Sequence, residues 1–418
     1  MSPAVKMALL VLLLATVNAL SFMDRMAVGV LGSSIRADLA LSGTQFGLVT
    51  GAAFAIVYAL AALPVARAAD RYGPRLILPG CVAFWSLAMV VAGLADSFEA
   101  LAASRFLIAL GEAGAASIAY ALVSAAIDPA RRATAIAVVA TGAPLGSFAG
   151  AELFPAIAVT HGWRDALMVV GVAGIGFALL LGLALRLIVA GRPAPRTPPL
   201  AIRDALASVL RHRDQRALAI GYGAISLTMT AIMAWMPQLL QHWHGLSLRA
   251  AGSAFGMAML AGGLGGTLLV PMLMTRFGGA DRLTILCRAM MLVPAGAILL
   301  ALSLLASGAL LVTALAAGIA LLAGVLPLIF AMVPDVSHEL GGAEANVGIL
   351  LPGNLLGPSL GPLVIGVIDD AMPSGFGAWG LATGLLAVLI VAPMGALLLA
   401  DGLRRRTSAP PACGAHVA

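Results

Sequence analysis

The chain has 418 residues, 61% of them hydrophobic and 10% charged, with 24 Lys and Arg against 18 Asp and Glu. Soluble domains carry roughly 25% charged residues, so this composition, with a mean hydropathy of +1.04, excludes a soluble protein and indicates an all-α polytopic membrane protein. The net charge of +6 does not indicate nucleic acid, because the basic residues are scattered between apolar segments and not gathered into a patch.

A bilayer span needs ~20 consecutive apolar residues. Apolar runs read against their charged or Pro/Gly breaks predict twelve transmembrane helices, at 8–33, 44–66, 76–94, 101–127, 133–159, 166–189, 218–240, 251–275, 283–305, 309–333, 345–368 and 378–400. The first follows Lys6 and could pass for a signal peptide, but the same kind of segment recurs down the chain, so it reads as a retained span. With the N-terminus inside, nineteen of the 24 basic residues fall on the inner side. Arg36, Arg164 and Arg249 fall outside, and Arg25 and Arg105 lie within spans. This bias places both termini in the cytoplasm and the protein in the cell's inner membrane. The long polar break at 186–216 holds RPAPRTPPL, an extended Pro-rich stretch followed by a short basic segment. It divides the chain into an N-terminal six-helix half (1–190), a cytoplasmic linker (191–216), a C-terminal six-helix half (217–403) and a cytoplasmic tail (404–418). A shift of 205 residues lays Leu41-Ser42 on Leu246-Ser247, Gly47 and Gly51 on Gly252 and Gly256, and Arg71-Tyr72-Gly73 on Arg276-Phe277-Gly278. Two parallel six-span halves fit a transporter architecture.

Two spans carry charge. The first holds Asp24-Arg25. The fourth holds Arg105 and Glu112, seven apart, so both project from one helix face. A charge in hydrocarbon costs at least ~2.5–3.5 kcal/mol, so the four are expected to line one central polar site. A purely structural role, in which the pairs tie helices together, stays open at this point. The midplane position of Glu112 makes it the expected proton carrier, and the arginines near Asp24 make that residue the expected ion-pair switch. In the fifth span Gly142, Gly146 and Gly150 form a small-residue stripe for helix packing, with Pro144 as a kink and Glu152 nearer the outer end. Trp235 and Pro237 in the seventh span and Asn354 in the eleventh are candidates for the opposite wall of a substrate site. Trp235 reads equally as an interfacial anchor.

The loop after the second span, ARAADRYGPR, closes two helices tightly, with Gly73 permitting the reversal. Its Asp70, Arg71, Gly73 and Arg75 resemble the signature loop of the major facilitator superfamily, with Ala66 in place of the first Gly and Pro74 in place of a basic residue. DLALSGTQFGLVTGAAFAIVYALAALPVARAADR, GEAG at 111–114, RRATA at 131–135 and GWRDAL at 162–167 resemble bacterial Spinster-type members, as do WMPQLLQHWHGLS and NLLGPSLGPLVIG. The Asp-Arg of the first span and the Arg and Glu of the fourth are shared with anion:cation symporters. The resemblance implies a twelve-helix secondary transporter working by alternating access, and a cytoplasmic gate at Asp70–Arg75. It also implies proton coupling through Glu112 and Asp24, with Arg25 and Arg105 as charge partners. Small organic anions and lipid-like amphiphiles are the implied substrates.

Other patterns carry no chemistry. Gly357–Gly361 fits G-x-S-x-G but sits in a Gly/Pro-rich span, not at a strand-to-helix turn. His242 and His244 have no further ligand cluster, Cys81, Cys287 and Cys413 suggest neither disulfides nor metal, and no Walker lysine is present. The chain is thus expected to be no enzyme. It is expected to use no metal or cofactor beyond a proton gradient, and to meet a small-molecule substrate and the bilayer as a monomer. A non-transporting sensor on the same fold is the alternative.

Overall fold

The computed structural model describes residues 2–188, 202–277, 281–336, 342–373 and 378–407. The linker stretch 191–201, with Arg192 and Arg196, and residues 408–418 of the tail, with Cys413, lie outside the described residues. Helices α1 (Pro3–Val30), α2 (Gly32–Asp38), α3 (Gly43–Thr50), α4 (Ala52–Tyr72), α5 (Pro74–Ala92), α6 (Phe98–Glu112), α7 (Ala115–Ala126), α8 (Pro129–Ala140) and α9 (Gly142–Ile188) make the first half. Helix α10 (Ile202–Arg211) belongs to the linker. The second half is α11 (Arg213–His244), α12 (Leu248–Phe277), α13 (Arg282–Met290), α14 (Leu292–Leu302), α15 (Gly308–Ala323), α16 (Leu326–Met332), α17 (Gly342–Ala371) and α18 (Trp379–Thr407). No strand occurs among the described residues, as expected where lipid cannot satisfy open backbone groups.

Eleven stretches are long and apolar enough to cross a membrane. The fifth, Pro129–Ile188, runs 60 residues but reverses at Gly162, where φ is +87° and ψ 165°. It is therefore two spans, and the count is twelve. Local sequence sets the ends. Ser42 caps α3, accepting from the Gln45 N–H in a reciprocal capping box. Its repeat equivalent, Ser247, accepts from the Ala250 N–H at the start of α12. The fourth span breaks directly after Glu112, where Gly114 takes φ +82°, so α6 ends inside the membrane.

The halves meet mainly through backbone brought close by glycine. A Cβ built on Gly47 would come 2.6 Å from the Pro362 carbonyl oxygen, and one on Gly51 2.8 Å from that of Pro358. Gly252 and Gly256, their repeat equivalents, face Ala151 of α9. The repeat thus corresponds to two related contacts, α3 on α17 and α12 on α9. Gly142, Gly146 and Gly150 pack α9 against Ala15, Ala19 and Met23 of α1. Large apolar side chains such as Leu179, Leu180 and Leu187 point outward, as a lipid-facing surface requires. Where the sequence suggested a short basic segment, α10 is helical, and the join to the second half is fixed by Gln215 Nε2 donating to the Val336 carbonyl at 2.9 Å.

Candidate functional site

The four intramembrane charges come together. Residues 21 and 25 are one helical turn apart on α1, and both reach α6. Arg25 Nε donates to Glu112 Oε2 at 2.9 Å, and Ser21 Oγ donates to the same oxygen at 2.7 Å. The Glu112 side chain is fully buried, while a quarter of the Arg25 side chain (25%) stays accessible. Asp24 is buried too, but it lies about 100° round the helix from Arg25 and turns toward the indole of Trp85, in hydrogen-bonding reach. The sequence makes Asp24 the expected ion-pair switch and Glu112 the expected proton carrier. In the structure Glu112 holds the guanidinium, because positions 21 and 25, not 24, face the end of α6.

Arg105 is buried, and its Nε has no hydrogen-bond partner. Among the described residues it makes no ion pair. Its guanidinium lies 4.9 Å from the centre of the Phe54 ring. That ring is also 5.1 Å from the Arg25 guanidinium, which has Phe22 and Tyr58 at 5.0 and 4.7 Å. Aromatic faces stabilise cations by ~0.5–2 kcal/mol each, which offsets part of the cost of burying two arginines. The second oxygen of Glu112, Oε1, is buried and unpartnered as well. The quartet is formally neutral: Arg25 and Glu112 are paired, and Arg105 rests on the Phe54 ring with both Asp24 and Glu112 in electrostatic reach but neither in an ion pair with it.

The remaining expected residues separate. Asn354 is on α17 and accepts from the Tyr222 hydroxyl at 2.5 Å. Trp235 is not beside it. Its indole N–H donates to the Pro362 carbonyl at 2.9 Å, its ring meets Phe46 edge-on at 4.9 Å, and only 2% of it is exposed. It belongs to a seal between the halves, since its ring packs on Phe46 of the first half and its one polar edge is spent on the Pro362 carbonyl. In that seal Arg36 pairs with Asp369 at 2.9 Å and lies 5.2 Å from the Trp235 ring. Asp370 accepts from the backbone N–H groups of Gly43 and Thr44 at 2.6 and 2.7 Å, and Ser33 donates to Gln241 at 2.8 Å. Glu152 accepts from Ser253 at 2.8 Å, joining α9 to α12. These bonds join the halves on the outer side of the arginine cluster. At the opposite end Gly73 takes φ +92° between α4 and α5. Asp70 and Arg71 are exposed there, Arg75 is half-buried, and Arg71 stacks on Tyr72 as Arg276 stacks on Phe277.

Sequence reasoning missed the seal residues and the aromatic wall. Arg36 as a basic residue on the outer side, and the paired Asp369-Asp370 closing an apolar span, were the available signals. So was the placement of three of the four tyrosines within spans.

Twelve helices in two six-helix halves, closing around a buried charge cluster, define a membrane transporter and not an enzyme. The chain belongs to the Major Facilitator Superfamily, whose family match covers residues 14–345. It is 30% identical over 387 residues to an MFS-type efflux pump of Mycolicibacterium smegmatis, covering 91% of this chain and 88% of that one. It is 26% identical over 271 residues to a probable L-galactonate transporter of Escherichia coli, covering 62% and 59%. The fold matches a solved bacterial homologue of the human lysosomal transporter Spinster, in an inward-facing, unoccupied conformation. The TM-score is 0.79 at 21% identity, over 97% of this chain and 99% of that one.

Proposed function

We propose that this transporter moves a small organic anion by alternating access, coupled to protons, as a monomer in the inner membrane with both termini in the cytoplasm. The observation that carries the reading is Arg105: a buried guanidinium, stacked on Phe54 and without a carboxylate partner, beside the Arg25–Glu112 pair. A buried arginine of this kind recognises a carboxylate by a planar fork of donors. The neutral quartet becomes negative when a monoanion joins it, and a single proton on Glu112 or Asp24 restores neutrality. Protonation of Glu112 also loosens its hold on Arg25 and frees a second guanidinium for the anion. Substrate and proton therefore favour each other's binding. The galactonate transporter among the relatives supports an anionic substrate.

With the N-terminus inside, the seal of Arg36, Asp369 and Asp370 is the outer gate. The Asp70–Arg75 loop lies on the cytoplasmic side, where it belongs to the gate that forms when the halves rock.

The test is uptake by proteoliposomes of a panel of labelled carboxylates, with a pH-sensitive dye inside. Anion-dependent proton movement that disappears with Arg105→Ala supports the reading. Carboxylate binding indifferent to that substitution overturns it.

A further inference from the structure

Asn354 stands at the depth of the arginines. Gly43 packs on Gly366, Gly47 on Pro362 and Gly51 on Pro358, so each four residues along the second span match four back along α17. One further step in this register sets Ala55 opposite Asn354. Phe54, the adjacent residue, is the ring touched by both guanidiniums. Asn354 therefore faces the cluster from the other half of the molecule.

It does not stand alone. Tyr222 of α11 gives its hydroxyl proton to Asn354 Oδ1, and its ring rests 5.5 Å from Phe330. Tyr222 lies in electrostatic reach of Arg25 and Tyr58, and Tyr120 in reach of Tyr58. Rings of Phe54, Tyr58, Tyr120 and Tyr222 thus gather about the arginines. The hydrogen bond to Oδ1 fixes what the far pole offers: the Asn354 amide N–H2 as donor and, beside the Ser226 hydroxyl that also reaches it, the remaining lone pair of the Tyr222 oxygen as acceptor, the complement of one hydroxyl group. No charge belongs to this pair.

We propose that Tyr222 and Asn354 read a hydroxyl at the far end of a flat aromatic carboxylate whose anionic end is held by Arg105 and Arg25. The assignment rests on the anion-transport reading and specifies its substrate class. A polyhydroxylated sugar acid needs hydrogen-bond partners along its whole length, and ring faces leave its hydroxyls desolvated without compensation. An aromatic ring loses nothing there and gains stacking. A ligand that touches α1 and α6 at one end and α11 and α17 at the other also bridges the two halves, which is where a transported solute must act.

The experiment measures dissociation constants of hydroxyphenylpropionate, phenylpropionate and galactonate for the purified full chain in nanodiscs. It uses the wild type, Tyr222→Phe, Asn354→Leu and Arg105→Ala. A site that pairs with a hydroxyl discriminates against the analogue lacking it, so hydroxyphenylpropionate should bind at least about tenfold tighter than phenylpropionate. That ratio should fall toward one in Tyr222→Phe and Asn354→Leu. Because the ratio is read within each protein, a general loss of stability does not mimic the result. Equal binding of the two aromatic acids in the wild type, both weakened by Arg105→Ala, overturns the second pole and leaves the anion reading standing. Tighter binding of galactonate than of either aromatic acid overturns the aromatic assignment. Binding of none, or binding indifferent to Arg105→Ala, overturns the anion reading itself.

Discussion

Arg36 and Asp369 meet at 2.9 Å across the boundary between the halves, with side chains 20% and 15% exposed. Arg36 belongs to the first half and Asp369 to the second, so the ion pair ties the two together in the sealed arrangement. Its neighbour Asp370 acts in the same way on the backbone of Gly43 and Thr44, where a carboxylate meets the positive end of a helix.

Breaking this latch should open the seal without unfolding either half. An exposed ion pair contributes ~0–1 kcal/mol and a buried one costs ~3–5 kcal/mol when one partner is removed; this half-buried pair falls between. Arg36→Ala and Asp370→Asn should each raise labelling of Ala55→Cys by an impermeant maleimide added outside, in a background with the native cysteines replaced. Labelling that does not change in either variant would show that the latch does not hold the seal.

Glycine sets how closely the halves approach. Gly47→Leu places a side chain where the Pro362 carbonyl lies 2.6 Å from a bare Cβ. Overpacking costs ~1–3 kcal/mol, and here the cost falls on the sealed state alone. Each ~1.4 kcal/mol shifts the population tenfold, so outside labelling should rise by about one order of magnitude. Gly252→Leu, its repeat equivalent against Ala151, should act in the same direction. Gly80→Leu, with nothing within 4 Å of its Cβ, should do nothing. An effect of Gly80→Leu equal to that of Gly47→Leu would remove the steric explanation.

These residues also mark what could be read from sequence. The spans and the sequestered charges follow from hydrocarbon alone: lipid excludes open backbone and unpaired charge, so runs of apolar residues and the few ions among them are legible. The repeat was legible because Gly47 and Gly252 serve one purpose at two related contacts. Partner choice was not. Asp24 and Arg25 are adjacent in sequence but diverge by a third of a turn, and only the packing of α6 decides which of them meets Glu112. Trp235 and Asn354 share the label of a polar or aromatic residue in an apolar span. One is sealed against Pro362 and the other holds the Tyr222 hydroxyl, a difference set by depth and rotation that composition does not encode. Arg36 and Asp369 lie 333 positions apart in the chain, and no local pattern joins them.

Glu112 holds Arg25 and Ser21 through one oxygen and leaves the other unpartnered. Glu112→Gln mimics the protonated side chain, keeps the shape and removes the charge. Transport driven by a pH gradient should cease, while exchange of labelled for unlabelled substrate continues, because exchange needs no net proton movement. Gradient-driven transport that survives this substitution would assign the proton to another group, with Asp24 the next to test. Trp85→Phe then removes the indole N–H from Asp24 and should alter the pH dependence of transport only if Asp24 carries the proton.

Trp235→Phe separates sealing from binding. The substitution keeps an aromatic ring against Phe46 but removes the N–H that satisfies the Pro362 carbonyl. A hydrogen bond of this kind is worth ~0.5–1.5 kcal/mol, and stranding a buried carbonyl costs ~1–3 kcal/mol. The purified protein should melt at lower temperature and label faster from outside. Affinity for a carboxylate, measured from the cytoplasmic side, should hold, since the partners of Trp235 are Pro362, Phe46 and Arg36 of the seal. A residue that lined the substrate site would show the reverse, a loss of affinity of tenfold or more with labelling unchanged. That outcome would move Trp235 from the seal back to the solute's path.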